Sequence, residues 1–334
     1  MTTRRAVLGA GVSALAATAF PTAAGAKRAA LVPRLRQGDT VAVVGPASIA
    51  SQRQIDNADF TLRGMGLIPK FGEHVAGKYL YLAGTDDQRA SDLNAAFADP
   101  QVRAIFALRG GWGAARILPL LDWKLIRRNP KLLIGYSDIT ALHLAFARDA
   151  GFPTIHAPNA AGRWDKTSWD SLWRLAFTGE RPELPLASAK VLVPGSATGR
   201  LLGGNLTILS TLMGTGRLPV FDDAILFLED IGEDPYRVDR MLQQLKLSGI
   251  LAGVSGVIFG HCTRCNPGEE DDEDRSDQVT IDQVLADHFG ALGCPVVTGA
   301  NIGHIRNQLS LPHGAKVRFD TASDSLQPLE PVVS

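Results

Sequence analysis

The sequence predicts an α/β protein made of two halves, the first built around a mostly parallel sheet. Three observations support this fold class. The chain has 334 residues, enough for two ordinary domains, and 45% of them are hydrophobic, enough to fill large cores. Short apolar segments alternate with stretches of helical periodicity along most of the chain. Strands that alternate with helices usually form a parallel sheet that helices cover on both faces.

Charge and composition argue against several other classes of protein. The 34 basic and 34 acidic side chains cancel, whereas a nucleic-acid-binding protein usually carries a marked basic excess. Three cysteines are too few for a scaffold held together by disulfides. The 22 aromatic residues follow no repeat period, and the apolar content is too high for a disordered chain. We therefore expect a globular protein without a nucleic-acid partner.

Residues 1–26 resemble an export signal. Arg4 and Arg5 precede an uncharged stretch, residues 6–24, and residues 24–26 have the small-x-small pattern of a cleavage site. The arginine pair also resembles a twin-arginine motif. A transmembrane anchor is the alternative, but the stretch is only marginally long enough and Pro21 interrupts it. We expect a periplasmic protein with no membrane span after signal removal, or a cytoplasmic protein if the signal does not function.

The N-terminal half, residues 36–160, is expected to form the first domain. Its apolar runs and helical periodicities alternate, and in such sheets the ligand crevice lies beyond the carboxyl ends of the strands. The pattern predicts strands at 40–45, 102–108 and 131–134, and helices at 51–66, 86–98, 113–121, 123–128 and 138–149.

The segment 161–198 is expected to be an irregular linker, because it contains three tryptophans and several prolines. The second domain, residues 199–325, begins with a glycine-rich run. The acidic stretch 266–278 carries seven acids among thirteen residues, which is typical of a solvated loop. The pattern predicts strands at 224–228, 254–259 and 295–297, and helices from residue 205, at 235–247 and at 279–290.

Ser137 lies between a predicted buried strand and a predicted helix, in the sequence IGYSDIT at 134–140. An elbow between strand and helix would expose its hydroxyl and place backbone N–H groups beside a developing oxyanion. A serine before an aspartate is also a good helix N-cap, and Ile139 replaces the second glycine of the G-x-S-x-G pattern. Ser137 is therefore a candidate nucleophile, with N-capping as the alternative.

Glu229 and His304 are candidate partners for a nucleophile. Glu229 follows an apolar strand, where an orienting carboxylate would be needed, although four acids within residues 229–235 also suit a solvated turn. His304 follows Gly303 in a predicted loop that also contains Gly299, and histidine transfers protons near neutral pH. Three other histidines are alternative candidates for the base: His156, His261 and His313. His143 is expected to be structural.

Two further motifs carry weaker signals. Cys262 and Cys265 could form half of a metal site, but no second ligand pair has suitable spacing, so no metal is expected. In an oxidising compartment they could form a disulfide, or Cys294 could pair with either thiol. The turn RGGWG at 109–113 lacks the features of a nucleotide-binding loop. Its glycines favour close access of a backbone N–H to a substrate oxygen.

Five motifs together resemble the LD-carboxypeptidase family of serine peptidases, also called muramoyltetrapeptide carboxypeptidases. They are RGGWG (109–113), GYSD (135–138), GGNL (203–206), LED (228–230) and GH (303–304), and the resemblance spans about residues 36–320. It implies an α/β fold with an N-terminal, mostly parallel sandwich domain and a smaller C-terminal domain of the swivelling type. The active site is implied to lie between the two domains.

The resemblance also implies a serine mechanism without metal or cofactor. By motif position, Ser137 would be the nucleophile, His304 the general base and Glu229 the carboxylate that orients the histidine. The backbone N–H groups of Asp138 and of Gly111 would form the oxyanion hole.

The implied substrate is a murein tetrapeptide, from which a terminal D-amino acid is released at an L-centre. A guanidinium matches the free terminal carboxylate, so Arg109 and Arg237 are candidate ligands, although either could be a surface ion pair. Trp112, which replaces the family's usual tyrosine, and Asn205 would line the substrate pocket. The family further implies a homodimer. Its well-known members act in the cytoplasm, so the export signal bears on the physiological substrate more than on the reaction.

Two other functions stay open. A relative in the same family confers self-immunity by cleaving a peptidyl-nucleotide antibiotic with the same triad, and the tryptophans at 164–173 could stack on a nucleobase. A periplasmic binding protein for cell-wall peptides, without catalysis, would also fit two α/β lobes that follow an export signal.

Overall fold

The computed structural model describes residues 32–266 and 279–334, which form two sheets with packed helices. The mixed α/β class predicted from the sequence is confirmed. The predicted export signal and nearly all of the acidic stretch lie outside the described residues. Within the described ranges, none of the helices combines the length and the apolar character that a bilayer span requires.

The first half alternates strands and helices. In chain order these are β1 (Thr40–Val44), α1 (Gln52–Gly64), β2 (Ile68–Phe71), α2 (Asp86–Ala98), β3 (Val102–Ala107), α3 (Ala114–Ile117), α4 (Trp123–Arg128), β4 (Leu132–Gly135), α5 (Thr140–Asp149) and β5 (Thr154–His156). Helices α1 and α2 both begin at capping boxes, in which a side-chain hydroxyl and a glutamine satisfy each other's backbone N–H groups.

The second half contains more strands than the sequence predicts. In chain order the elements are α6 (Lys166–Leu172), β6 (Leu184–Pro185), β7 (Lys190–Val193), β8 (Ser196–Asn205), α7 (Leu206–Thr211), β9 (Ile225–Ile231), α8 (Pro235–Leu247), α9 (Ile250–Gly253), β10 (Gly256–Thr263), α10 (Ile281–Phe289), β11 (Val296–Thr298), β12 (Leu311–His313), β13 (Lys316–Asp320) and β14 (Ser325–Pro328).

The segment 161–198 is therefore not irregular as expected, since it contains α6, β6 and β7. Trp169, Trp173 and Phe177 are spaced four residues apart and contact one another, with ring centroids 4.6–5.6 Å apart. Trp169 lies in α6, and the helical turn Trp173–Phe177 continues directly from it, so the three rings lie on one side and pack against the core. Ser168 further donates a hydrogen bond of 2.7 Å to the carbonyl oxygen of Gln308. The helix thus supports the chain that follows His304.

The first sheet has the strand order β12-β5-β4-β3-β1-β2, and all of its pairs are parallel except β12 with β5. Its central strands are buried, as expected for a sheet that helices cover on both faces. Because parallel strands point the same way, the turn after β3 and the turn after β4 lie at the same edge. Ser137 and the glycine turn 110–113 therefore lie side by side.

The second sheet has the order β6-β14-β13-β8-β9-β10-β11-β7. Its centre, β8 to β11, is parallel, and antiparallel strands flank it on both sides. Glu229 lies near the carboxyl end of β9, and His304 lies in the loop that follows β11. The carboxyl edges of the two sheets therefore supply the three predicted catalytic side chains.

The junction between the two halves is buried and polar. The backbone N–H of Asn205 donates to Thr140 Oγ1 over 2.9 Å, and that of Gly203 donates to His313 Nε2 over 3.3 Å. The His143 ring stacks on His313, with centroids 5.3 Å apart. His143, His156 and His313 are all fully buried here, and burial lowers the pKa of each.

Gly203 provides a test of how closely β8 and β9, neighbouring strands of the second sheet, approach each other. Its φ is +139°, and a Cβ at this position would collide with the carbonyl oxygen of Phe227. We expect Gly203→Ala to lower the free energy of unfolding by about 3 kcal/mol or more, because backbone strain and overpacking add. Gly214, at φ +77° with no atom within 4 Å of the place a methyl group would occupy, is the matched control and should lose about 1–2 kcal/mol as alanine. Urea unfolding measures both; equal losses would contradict the steric argument.

Candidate active site

Ser137 lies at a sharp turn between β4 and the helical turn that precedes α5. Its φ is +66°, a left-handed conformation that is uncommon for a residue with a side chain and is typical of strained functional turns. The N-terminus of α5 has no side-chain cap, so the N-capping alternative does not describe Ser137. The preceding Tyr136 N–H donates to Asn159 Oδ1 over 3.2 Å, which anchors the turn.

Ser137, His304 and Glu229 form a continuous hydrogen-bonded line. His304 Nε2 lies 3.0 Å from Ser137 Oγ, and His304 Nδ1 lies 2.7 Å from Glu229 Oε2. A carboxylate only accepts hydrogen bonds, so Nδ1 carries the proton in neutral His304 and Nε2 is left to accept from the serine hydroxyl. The geometry is that of a nucleophile, a base and an orienting carboxylate.

Glu229 is buried, and its charge controls His304. The Glu229 side chain has no exposed surface, whereas 15% of the His304 side chain is exposed. Burial alone lowers the pKa of His304, but the hydrogen bond and charge of Glu229, with the charge of Asp230, outweigh burial and raise that pKa above its ordinary value. Gly303 makes the approach possible, because a Cβ there would lie 2.9 Å from Glu229 Oε2.

Tyr136 is a site residue that the sequence reasoning missed. Its ring packs on the His304 imidazole with centroids 4.9 Å apart. Burial, together with the charge of Glu229, raises the pKa of Tyr136 to about 12, so the phenol stays neutral. The position next to the nucleophile was the only sequence signal for this role.

The glycine turn lies directly against Ser137. A Cβ on Gly110 would be 3.0 Å from Ser137 Cβ and 3.3 Å from the backbone nitrogen of Asp138. Gly111 follows with a φ of +103°, which favours glycine. Ser48 fixes the turn, because its backbone N–H donates to the Gly110 carbonyl over 3.3 Å and its Oγ accepts the Trp112 N–H over 3.0 Å. The structure thus brings Gly110 and the backbone nitrogen of Asp138 to Ser137, with Gly111 next to them in the turn, and the oxyanion role of Asp138 and Gly111 stays a prediction.

The predicted substrate-binding residues occupy different environments. Arg109 is half-buried beside the glycine turn and donates from Nη1 to the carbonyl of Ile49 over 2.8 Å. Trp112 is 36% exposed at the tip of the same turn. Asn205 is almost fully buried. Its amide donates to Asp230 Oδ1 over 2.9 Å, and its Oδ1 accepts from Ile208 N–H over 3.0 Å, so both ends of the amide organise α7 and the carboxyl edge of β9.

Arg237 lies on α8 among acidic side chains. It is 46% exposed, with Glu233 3.7 Å and Asp234 3.5 Å away. These are the surface ion pairs that formed the alternative interpretation of this arginine. Its contribution to substrate binding stays a prediction.

Cys262 and Cys265 are joined by a disulfide, and Cys294 is a free thiol. The turn they close lies beside the site. Thr263, which lies between them, donates from Oγ1 to the carbonyl oxygen of His304 over 3.2 Å, and its own carbonyl oxygen accepts the Gly232 N–H at 2.9 Å. Across residues 32–266 and 279–334, no cluster of histidine, cysteine or acidic side chains has the makings of a metal site.

Comparison with known proteins matches both halves of the chain to one family. The model for the LD-carboxypeptidase N-terminal domain matches residues 41–157, and the model for the LD-carboxypeptidase C-terminal domain matches residues 198–319.

Individual relatives agree with the family match. The chain is 38% identical to a probable murein peptide carboxypeptidase of Bacillus subtilis, over 86% of this chain and 91% of that protein. A crystal structure of a muramoyltetrapeptide carboxypeptidase from Oxalobacter formigenes is 28% identical, covers 86% of this chain and 97% of that one, and superposes with a TM-score of 0.74. The microcin C7 self-immunity protein MccF, 24% identical, covers 91% and 100% with a TM-score of 0.81, which shows a shared fold.

The control of His304 by Glu229 can be measured without any substrate. Glu229→Gln removes the charge that opposes burial, so we expect the pKa of His304 to fall below its wild-type value. Buried His143, whose pKa burial lowers to about 4, serves as the internal control and should not move. Titration of the ring C–H signals by NMR measures both. An unchanged His304 pKa in the variant would show that Glu229 does not set it.

Proposed function

The chain belongs to the LD-carboxypeptidase family, and from this premise we propose that it is a serine carboxypeptidase that removes the terminal D-amino acid of murein tetrapeptides. The observation that carries the proposal is the hydrogen-bonded line from Ser137 through His304 to buried Glu229. The names of the relatives support a carboxypeptidase acting on murein peptides.

Acylation begins at the carbonyl that joins the L-centre to the terminal D-residue. Ser137 Oγ forms a bond to this carbon while His304 Nε2 takes the hydroxyl proton, and the charge of Glu229 stabilises the imidazolium that results. The N–H groups of Asp138 and Gly111 hold the oxyanion of the tetrahedral intermediate. The C–N bond then breaks, and His304 gives its proton to the nitrogen of the leaving D-amino acid.

Deacylation repeats the sequence with water. His304 Nε2 takes a proton from a water molecule, whose oxygen attacks the ester carbon on Ser137. The ester C–O bond breaks, and the same proton returns to Ser137 Oγ. The shortened peptide leaves with a new carboxylate. Every proton transfer in the cycle uses one nitrogen, which the Glu229 hydrogen bond keeps aimed at the cleft.

Arg109 is the residue that we assign to the free terminal carboxylate of the substrate. It lies two residues after the end of β3 and adjoins the glycine turn that lies against Ser137. A guanidinium has five donors in a planar fork that matches a carboxylate, and the bond to Ile49 uses one nitrogen. Arg237 is the weaker candidate, because Glu233 and Asp234 already lie near it.

We place the mature enzyme in the periplasm on the strength of residues 1–26. The disulfide between Cys262 and Cys265 supports this location, because such bonds persist in oxidising compartments. There the enzyme would meet the sacculus or peptides shed from it. N-terminal sequencing of the exported protein, with residue 27 first, checks the assignment.

The antibiotic-cleaving alternative has no specific support among the described residues. The tryptophans proposed as a nucleobase platform, Trp164, Trp169 and Trp173, are only partly exposed and pack against the core. Incubation with a tetrapeptide and with a peptidyl nucleotide separates this alternative from the non-catalytic binding protein. The antibiotic-cleaving enzyme would cleave the peptidyl nucleotide, and the binding protein would cleave neither compound.

Ser137→Ala tests the reaction itself. We expect D-alanine release from a murein tetrapeptide to fall by about 10⁴-fold or more, because no other group of the site replaces the nucleophile. Ser196→Ala, at the exposed start of β8, is the matched control and should retain full activity. Release is followed by mass spectrometry of the peptide. A Ser137→Ala protein that works at the wild-type rate would end the serine mechanism.

Arg109→Ala tests carboxylate recognition. A charge-assisted hydrogen bond is worth about 1.5–3 kcal/mol, so we expect kcat/KM for the tetrapeptide acid to fall by about 10–100-fold, mostly through KM. The C-terminal amide of the same peptide should be cleaved no worse than by the wild type. Arg237→Ala is the comparison variant and should keep the preference for the acid. If Arg109→Ala keeps it too, the assignment of Arg109 is wrong.

A further inference from the structure

We propose that the side chain of Asp138, and not only its backbone, serves catalysis as a positioning group. Its carboxylate anchors the glycine turn that supplies one oxyanion donor, while its own backbone N–H supplies the other. One residue thereby sets the spacing of the two donors. The inference rests on the proposed serine mechanism and adds to it a residue that acts through the oxyanion hole.

The carboxylate of Asp138 is fully buried and points at the far end of the glycine turn. Its Oδ2 accepts the backbone N–H of Ala114 at 2.8 Å. Ala114 is the first residue after the turn 110–113 and begins α3. The nucleophile's neighbour is therefore tied to the segment that carries Gly111, across 24 residues of chain.

The same peptide group is held from its other side by a buried cation. Arg89 Nη1 donates to the carbonyl oxygen of Gly113 over 2.9 Å, and this carbonyl belongs to the peptide whose N–H is that of Ala114. Arg89 is 1% exposed and also donates to the Pro46 carbonyl and to Asp86. The Gly113–Ala114 peptide thus lies between a guanidinium on its oxygen and a carboxylate on its nitrogen.

Packing leaves this peptide little room to move. Gly113 has a φ of +126°, and a Cβ there would collide with the Leu82 side chain and lie 3.1 Å from Arg89 Nη1. At the other end of the turn, Ser48 holds Gly110 and Trp112. Gly111 is therefore suspended between two anchored ends, of which the Asp138–Arg89 pair is one.

A charged acceptor suits this task better than a neutral one. Burial raises the pKa of Asp138 to about 6, while the Ala114 and Gly113 N–H groups and the charge of Arg89 oppose that rise. The carboxylate is therefore largely ionised at neutral pH. Hydrogen bonds to an ionised acceptor are shorter and roughly twice as strong as neutral ones, and so hold a peptide more rigidly.

The experiment compares Asp138→Ala with Asp92→Ala. Asp92 is the matched control, because it is also a buried aspartate of the first half that accepts a backbone N–H, that of His74 at 2.9 Å, away from the glycine turn. We expect Asp138→Ala to lower kcat for tetrapeptide hydrolysis by about 10²–10³-fold, the effect of losing one oxyanion donor, and Asp92→Ala to change kcat less than threefold. Asp138→Asn keeps an acceptor oxygen and should recover a large part of the loss.

Binding separates positioning from general disruption. An oxyanion donor acts on the transition state, so in a Ser137→Ala background the further change Asp138→Ala should leave the tetrapeptide Kd within about threefold. A kcat for Asp138→Ala within threefold of wild type would overturn the proposal. A rise in Kd large enough to account for the lost activity would also overturn it. So would a kcat for Asp138→Asn that is no higher than the kcat for Asp138→Ala.

A fluorophosphonate probe distinguishes failure of this inference from failure of the proposed substrate. Phosphonylation of Ser137 needs the nucleophile and the oxyanion hole but no murein peptide. If the wild type releases no D-alanine yet is labelled at Ser137, and Asp138→Ala slows labelling at least tenfold relative to Asp92→Ala, the positioning role stands and the substrate assignment fails. Equal labelling of the two variants would refute the positioning role whatever the substrate.

Discussion

The hydrogen bond between Ser137 and His304 is the contact on which the site depends, and it joins residues 167 positions apart. The serine is supplied by the first sheet and the histidine by a loop of the second, so a relative shift of the halves by about 1 Å would break the bond. The structure opposes such a shift at the junction. There β12 returns from the second half to pair with β5, and the Asn205 N–H donates to Thr140 at the start of α5. Thr140 lies three residues after Ser137, so this hydrogen bond ties the second half to the segment that carries the serine.

Close backbone approach is the second requirement, and glycine meets it at each critical point. Gly110 lets the turn after β3 lie against Ser137, and Gly303 lets the histidine loop lie against Glu229. A side chain at either place would have to displace an atom of Ser137 or of Glu229. Ser137 itself has a left-handed φ, a strained conformation at the residue that the proposed mechanism uses as nucleophile.

The sequence predicts the residues of the candidate site better than it predicts how the strands pair and how the connecting segments fold. Ser137 and Glu229 follow apolar strand patterns and His304 follows a glycine, and these local features made each residue a candidate. The resemblance to the LD-carboxypeptidase family is what joined the three into one predicted site. The pairing of β12 with β5 was not readable, because nothing within residues 311–313 indicates which sheet they join. In 161–198 the prolines and tryptophans suggested irregularity, although the four-residue spacing of Trp169, Trp173 and Phe177 is a helical signal. The sequence does not reveal the contact of the Asp138 carboxylate, because its partner, the Ala114 N–H, is a backbone group that any sequence supplies.

Asp138 places a buried negative charge near the proposed oxyanion hole, and the cation of Arg89 lies close to it. A carboxylate close to a developing oxyanion would by itself oppose catalysis, since like charges repel strongly where water is excluded. Here Arg89 lies across the Gly113–Ala114 peptide from Asp138, and each charge opposes the effect of burial on the other's pKa. The peptide between them is oriented with its N–H toward the anion and its oxygen toward the cation. The pair therefore holds the turn, while Arg89 also pairs with Asp86. The buried charge of Glu229 lies instead at His304 Nδ1, where in the proposed mechanism it stabilises the imidazolium.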